Sequence, residues 1–319
     1  MVDHAPSTVD RHPREPSAAT ALYWSAAGVN RWIQVKTIVV DQPVVKRAAG
    51  FEFTEGAVWS PSGTIIFSDI PADKLYEFDP RTQQVTTYRD PSNKANGNTY
   101  DHQQRLITCE HSASRVVREE GDQSLTVLAA QYAGAELNSP NDVIVDRAGR
   151  VLFTDPPYGR MDDTVGVRRP CSQPVQGVYR VDPRDCSIEI LADDFDKPNG
   201  LCFAEDEAVL FVNDSARMHI RRFKVRGDVL VNGGVWAGLE GAGEGVPDGM
   251  KVDSEGNLFC CGPGGVHVFS PEGHCLGVVL VPEVVANFNW GDRDLMTLYM
   301  CATSGLYSCR VLVPGIASR

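Results

Sequence analysis

The sequence has no run approaching the ~20 apolar residues that a membrane helix requires. It is short of positive charge, with 30 Lys and Arg against 42 Asp and Glu and a net charge of −12. Phosphate backbones reward a basic excess, so this balance argues against a nucleic-acid partner. No CxxC, HExxH or GxSxG occurs, which removes a zinc knuckle, a zincin and a serine esterase of the α/β type. The GEG and GPGG stretches lack the strand–helix setting of a nucleotide loop. Apolar residues spaced three and four apart are almost absent after residue 50, so long helices are not expected. The first twenty residues are rich in Pro, Ser, Asp and Arg and have no apolar core; they read as a disordered tail, not a secretory signal. The nine cysteines are odd in number and without paired spacing. With no export signal, they are expected to be free thiols in a reducing, cytoplasmic setting.

What is present is turn chemistry and repetition. The chain holds 29 Gly and 20 Pro, which suits many short elements joined by tight turns. Residues 21–48 read as a lead-in segment whose strand is expected to close a ring with the last repeat. From residue 49 to 319 one pattern recurs: a polar residue or pair, a short apolar strand, an acidic or Gly turn, and a second apolar strand. Its copies begin at Glu55, Asn96, Asn141, Asn199, Asp248 and Asn287, in steps of 41, 45, 58, 49 and 39 residues. Units of roughly 40–50 residues with four short strands predict a β-propeller. The expectation is an all-β, six-bladed propeller of four-stranded antiparallel blades. A β-sandwich with coincidental repeats is the plainer alternative. The longest interruption, residues 159–177, falls in the third blade and reads as a loop that overhangs one face.

In a propeller the residue just before each innermost strand lies at one mouth of the central channel. Six distant positions therefore converge: Glu55, Asn96, Asn141, Asn199, Asp248 and Asn287. All bear oxygen and none is basic. Asn-Gly and Asp-Gly also form turns, so any one of them alone reads as a turn. Together, two carboxylates at one mouth repel each other unless a proton or a cation intervenes. Oxygen-only ligation of mixed carboxylate and amide donors suits calcium, with magnesium, manganese or zinc as alternatives.

The pieces FTEGAVW, LITCEHSASRVVR, SPNDVIVDRAGRVLFTDPPYG, KPNGLCFA, VPDGMKVDSEGNLF and NFNWG occur in order. They resemble the gluconolactonase/senescence-marker-protein-30 (regucalcin-like) family of metal-dependent lactonases, over residues 50 to about 312. The resemblance implies a six-bladed propeller with a divalent ion held by Glu55, Asn141, Asn199 and Asp248. The match is closest to the bacterial gluconolactonase-like branch, which shares TCEH and FTDPPYG. In the animal branch an Arg two residues before the first Asn ligand helps hold a sugar lactone. Here that place is Ser139, which points away from a simple sugar lactone unless Arg115, Arg168 or Arg169 reaches in.

The reaction expected is hydrolysis of a small-molecule lactone to its hydroxy acid. Asp248 and Glu55 are the catalytic candidates, with Asp248 as base and an ion-activated water as the competing route. Asn96, His111, Ser139 and Asn287 are the candidate substrate contacts. Asp155 and Asp214 read as turn caps or a second ion site. Trp59, Tyr100, Tyr158, Phe288 and Trp290 are candidates to line an apolar mouth, each of them also a normal core residue. Phosphotriester hydrolysis on the same ion and a non-catalytic docking platform are the alternatives.

Overall fold

The computed structural model describes residues 43–316. The expected tail at 1–20 and residues 21–42 of the lead-in lie outside the described residues. Strands form six sheets of four, plus a two-stranded hairpin at Gln131–Tyr132 and Ala135–Glu136. Blades one to five are built in chain order from the inside outward, across 54–89, 95–129, 143–195, 198–238 and 250–280. Every pairing is antiparallel. The sixth takes three strands from Val285–Gly291, Thr297–Ala302 and Gly305–Arg310. Its outer strand is Val45–Ala49, paired with the last strand of the chain through Val45↔Ser308 and Ala49↔Gly305. The lead-in strand thus closes the ring.

The burial pattern explains why these short runs suffice. Second strands such as Ile65–Asp69, Leu106–Glu110 and Leu258–Gly262 are buried along their whole length, because both faces of each blade meet a neighbouring blade. Near-continuous apolar runs follow from that two-sided burial. Outer strands such as Gln84–Arg89 face water and hold no fully buried residue. Six apolar clusters fill six seams. Val58, Ile66 and Leu75 meet Ala95 and Leu106 between blades one and two. Phe259 and Cys261 meet Phe288 and Trp290 between blades five and six. Phe67 and Phe78 meet Tyr299 and Leu306 across the closing seam. Cys260 packs into the seam with blade four and Cys261 into the seam with blade six, as alternation along a strand requires. All nine cysteines are free. Among the described residues no helix is long and apolar enough to cross a membrane.

Where the lead-in strand meets the last strand, Glu283 gathers four donors from three residues, the Ser304 hydroxyl among them at 2.7 Å. Lys46 Nζ lies 2.6 Å from Oε1, and the Tyr307 hydroxyl and the Ser304 backbone donate at 2.5 and 2.8 Å. Burial alone would raise the Glu283 pKa, but the hydrogen bonds from Lys46, Tyr307 and Ser304 outweigh it and hold the carboxyl down at about 2.

Candidate active site at the channel mouth

The six convergent positions sit where the innermost strands leave their ladders. Register breaks fall between Glu55 and Val58, Ala95 and Asn98, Pro198 and Leu201, and Val285 and Asn287. In blades three and five the strand begins only at Val143 and Met250, two residues past Asn141 and Asp248. Such irregularities re-aim side chains beside functional sites.

Neighbouring blades are then clasped at these residues. The Ser68 hydroxyl donates to Asn96 O at 2.6 Å, Thr154 to Asn199 O at 2.8 Å and Asn213 Nδ2 to Asp248 O at 2.5 Å. Gly97 N donates to Asn141 O at 2.8 Å, and Gly249 N to Ala286 O at 2.8 Å. The glycine that follows most of these residues makes the approach possible. A Cβ at Gly97 would lie 2.5 Å from Asn141 O, and one at Gly200 only 2.3 Å from Asp248 O. The Asn287 amide hydrogen-bonds to the Glu55 carboxylate and completes the ring. All six positions therefore converge at one mouth.

The electrostatics are those of a site crowded with negative charge. Burial, then the charge of Asp142, pushes Glu55 up to about 7, against hydrogen bonds from Gly56, Asn287 and Asp248. Burial and the Glu55 carboxylate also drive Asp248 well above the usual carboxylate range. Among the described residues no Lys or Arg forms an ion pair with either carboxylate. Buried oxygens are left without partners at Asp248 Oδ1, Asn199 Oδ1 and Asn96 Oδ1. Unpaired buried oxygens are costly. A divalent cation satisfies such oxygens and removes the repulsion between two carboxylates. The donor set of Glu55, Asn141, Asn199 and Asp248 fits that kind of ion. It carries only oxygen and includes two amides; among the described residues no cluster of three or more His, Cys, Asp or Glu is arranged to hold a metal.

His111 is buried behind Asn96. Its Nδ1 lies 3.0 Å from Val165 O and its Nε2 3.2 Å from Asn96 Nδ2. Only one tautomer serves both contacts: Nδ1–H donates to the carbonyl and Nε2 accepts from the amide. Burial lowers the imidazole pKa to about 4, so the ring is neutral. Asn96 Oδ1 is thereby left as the amide's free acceptor. His111 thus acts on the mouth by orienting Asn96.

The interruption in blade three packs onto this arrangement. It opens with the single helical turn Tyr158–Met161. Gly159 N donates to the Ser139 hydroxyl at 2.9 Å, and that hydroxyl donates to Pro156 O at 2.6 Å. Ser139 is fully buried, its hydroxyl held between Gly159 N and Pro156 O, and it seats the turn. Arg160 is buried too, donating to Asn138 O at 2.6 Å and also to Leu137 O and Pro170 O. The turn delivers Tyr158, whose phenol hydrogen-bonds with Ser215 and Asn199.

Several other expectations change. Phe288 and Trp290 fill the seam between blades five and six, and Trp59 stacks on Tyr299 with ring centroids 6.1 Å apart. Tyr100 lines the other end of the channel with Val143, Phe203 and Lys251. Of these five aromatics, Tyr158 is the one whose side chain hydrogen-bonds a mouth residue, Asn199. Arg115 is bound to Glu110 at 2.6 Å, Arg169 is bound to Glu136 and Ser114, and Arg168 is exposed. Asp155 caps the backbone of Asn138, and Asp214 that of Asp196 and Lys197, as turn-capping carboxylates. Sequence reasoning missed Asp142, which stands where other repeats carry glycine. It is buried, with Oδ2 unpartnered and its charge opposed by Lys251.

Comparisons agree with this architecture. Residues 53–304 match the family model described as the SMP-30/gluconolactonase/LRE-like region. A gluconolactonase of Zymomonas mobilis is 27% identical over 297 residues, covering 85% of this chain and 82% of its own. Bovine regucalcin is 29% identical over 279 residues, covering 80% and 84%. A solved gluconolactonase from Xanthomonas campestris superposes with a TM-score of 0.82 at 30% identity, covering 86% of this chain and 92% of that one. The chain belongs to the SMP-30/gluconolactonase/LRE-like family.

Proposed function

We propose that this protein hydrolyses lactones at the channel mouth, with one divalent cation, calcium the simplest choice, held by Glu55, Asn141, Asn199 and Asp248. The observation that carries the reading is the pairing of two buried carboxylates that lack a cationic partner with unpartnered Asp248 and Asn199 oxygens. The lactonase names of the relatives supply the substrate class. When bound, the cation supplies Lewis-acid polarisation of an ester carbonyl.

The chain's own residues do the rest. Asp248 Oδ1 is unpartnered and faces the site, so it is placed to take the proton of a water that attacks the carbonyl carbon. The acyl–oxygen bond of the ring then breaks, the leaving alkoxide takes back the proton that Asp248 removed from the water, and the new carboxylic acid releases its own proton to solvent, so the product carries a carboxylate and a hydroxyl on one molecule. Asn96, oriented by His111, presents Oδ1 to substrate hydroxyl or water protons. Asn287 steadies Glu55. Tyr158 closes the side formed by blades three and four.

The test is acid release from a panel of sugar, aliphatic and aromatic lactones, with chelator and after calcium is restored. Chelator should abolish turnover and calcium should restore it. Asp248→Asn should lose at least a hundredfold in kcat at saturating calcium. Hydrolysis that persists in chelator, or a wild type that opens no lactone, would overturn the proposal.

A further inference from the structure

Beside the candidate site stands a half-buried cation, Lys197, with no counter-charge among the described residues. Lys197 lies two residues before Asn199 and is half-buried. Its Nζ sits 5.7 Å from the centre of the Tyr158 ring, on the residue whose phenol reaches Asn199. Its backbone N is tied to Asp214 Oδ1 at 3.2 Å, which fixes where the side chain starts. Among the described residues the ammonium makes no ion pair and no hydrogen bond.

The neighbouring cations differ. Lys94, two residues before Asn96, donates to Pro71 O at 2.7 Å. Arg160 is consumed by backbone carbonyls, and Arg169 by Glu136 and Ser114. Arg217 is taken by Asp214 and by Asp194 O. Lys251, in the channel, faces the charge of the buried Asp142. Lys197 keeps its three donors, with its stem against an aromatic face and the head beside the site.

We propose that Lys197 is a specificity-determining residue that selects lactones bearing an anionic substituent, a carboxylate being the simplest; this rests on lactone hydrolysis at the adjoining site. A half-buried ammonium without a counter-charge has lost part of its hydration and gained only the ring face. A substrate anion supplies the missing partner in a setting less screened than open surface. The need is reinforced by the rest of the molecule. A chain of net charge −12 repels anions in general, so an anionic substrate requires a local cation. A neutral lactone gains little from it.

The experiment compares γ-butyrolactone with 5-oxotetrahydrofuran-2-carboxylate, the same ring carrying a carboxylate, for wild type, Lys197→Met and Lys197→Arg. The readout is the ratio of kcat/KM for the charged ring to that for the neutral ring. This ratio should fall about tenfold in Lys197→Met, mainly through KM, and stay within about threefold of wild type in Lys197→Arg. Calorimetric binding of 2-hydroxyglutarate, the ring-opened product, in calcium buffer gives a second readout. It should weaken about tenfold in Lys197→Met and should weaken with added salt in the wild type. If the wild type opens neither ring, the lactonase reading fails while calorimetry still decides the role of Lys197. An unchanged ratio, or product binding equal in wild type and Lys197→Met, would overturn the proposal.

Discussion

Gly200→Ala tests whether the site is built by blades that touch at their first residues. Gly200 has no left-handed backbone, so alanine costs nothing locally through φ. The cost lies across the seam. The new Cβ would stand 2.3 Å from Asp248 O, 3.0 Å from Asn213 Nδ2 and 3.0 Å from Met250 N. A carbon and a carbonyl oxygen rest at roughly 3.3 Å, so blade five must retreat by about 1 Å. Two of the three obstacles are backbone and cannot rotate away. Overpacking of this kind costs about 1–3 kcal/mol. Retreat also stretches the 2.5 Å hydrogen bond from Asn213 to Asp248 O, adding about 1 kcal/mol. A total near 3 kcal/mol lowers Tm by roughly 4–5 °C for a protein of this size. Because Asp248 moves with its carbonyl, calcium affinity should fall at least tenfold. Gly234→Ala is the control: no atom lies within 4 Å of its added Cβ, and it should leave both quantities unchanged. The assays are thermal melting with and without calcium, and calcium calorimetry. A Gly200→Ala protein with wild-type Tm and affinity would refute the clasp.

Glu283→Gln should destabilise the join of the lead-in strand with the last strand by about 1 kcal/mol at neutral pH, after allowance for screening of its partly exposed Lys46 partner. The native carboxyl is held at about 2, below its usual value of 4.5. Its contribution is therefore complete above pH 4.5 and fades as pH falls from 4.5 toward 2. Melting curves should show the gap between wild type and Glu283→Gln narrowing over that window; a gap constant in pH would contradict it. Thiol titration should find two fast cysteines in the native protein, the exposed Cys171 and Cys186. Seven more should appear only on unfolding without reductant, and a total well below nine would contradict the free-thiol state.

Much of this was legible in the sequence, for physical reasons. Period and strand alternation gave six blades, because each repeat must bury both faces of its second strand against neighbours. The mouth residues were legible because one repeat position maps to one place on the ring. What failed was direction and partnership. Phe288 and Trp290 flank Asn289 on one strand, and alternation along it sends both rings into the seam. Ser139 was read from its place beside Asn141, yet Gly159, twenty residues on, returns to occupy its hydroxyl. The fates of Arg115 and Arg169 were likewise set by Glu110, across one turn, and by Glu136, distant in the chain. Asp142 carried a signal that went unread, since it replaces the glycine that follows the site residue in four other repeats. Lys197 stood in plain view beside Asn199, but its lack of a partner is a property of the fold.

The most direct test of the central claim is ion stoichiometry by calorimetry on chelator-stripped protein. Wild type should bind one calcium per chain, Glu55→Gln and Asp248→Asn should each bind at least tenfold more weakly, and all three should melt as folded rings in the absence of the ion. Equal calcium affinity in wild type and both variants, or no binding by the stripped wild type, would contradict the assignment of this mouth as a metal-dependent active site.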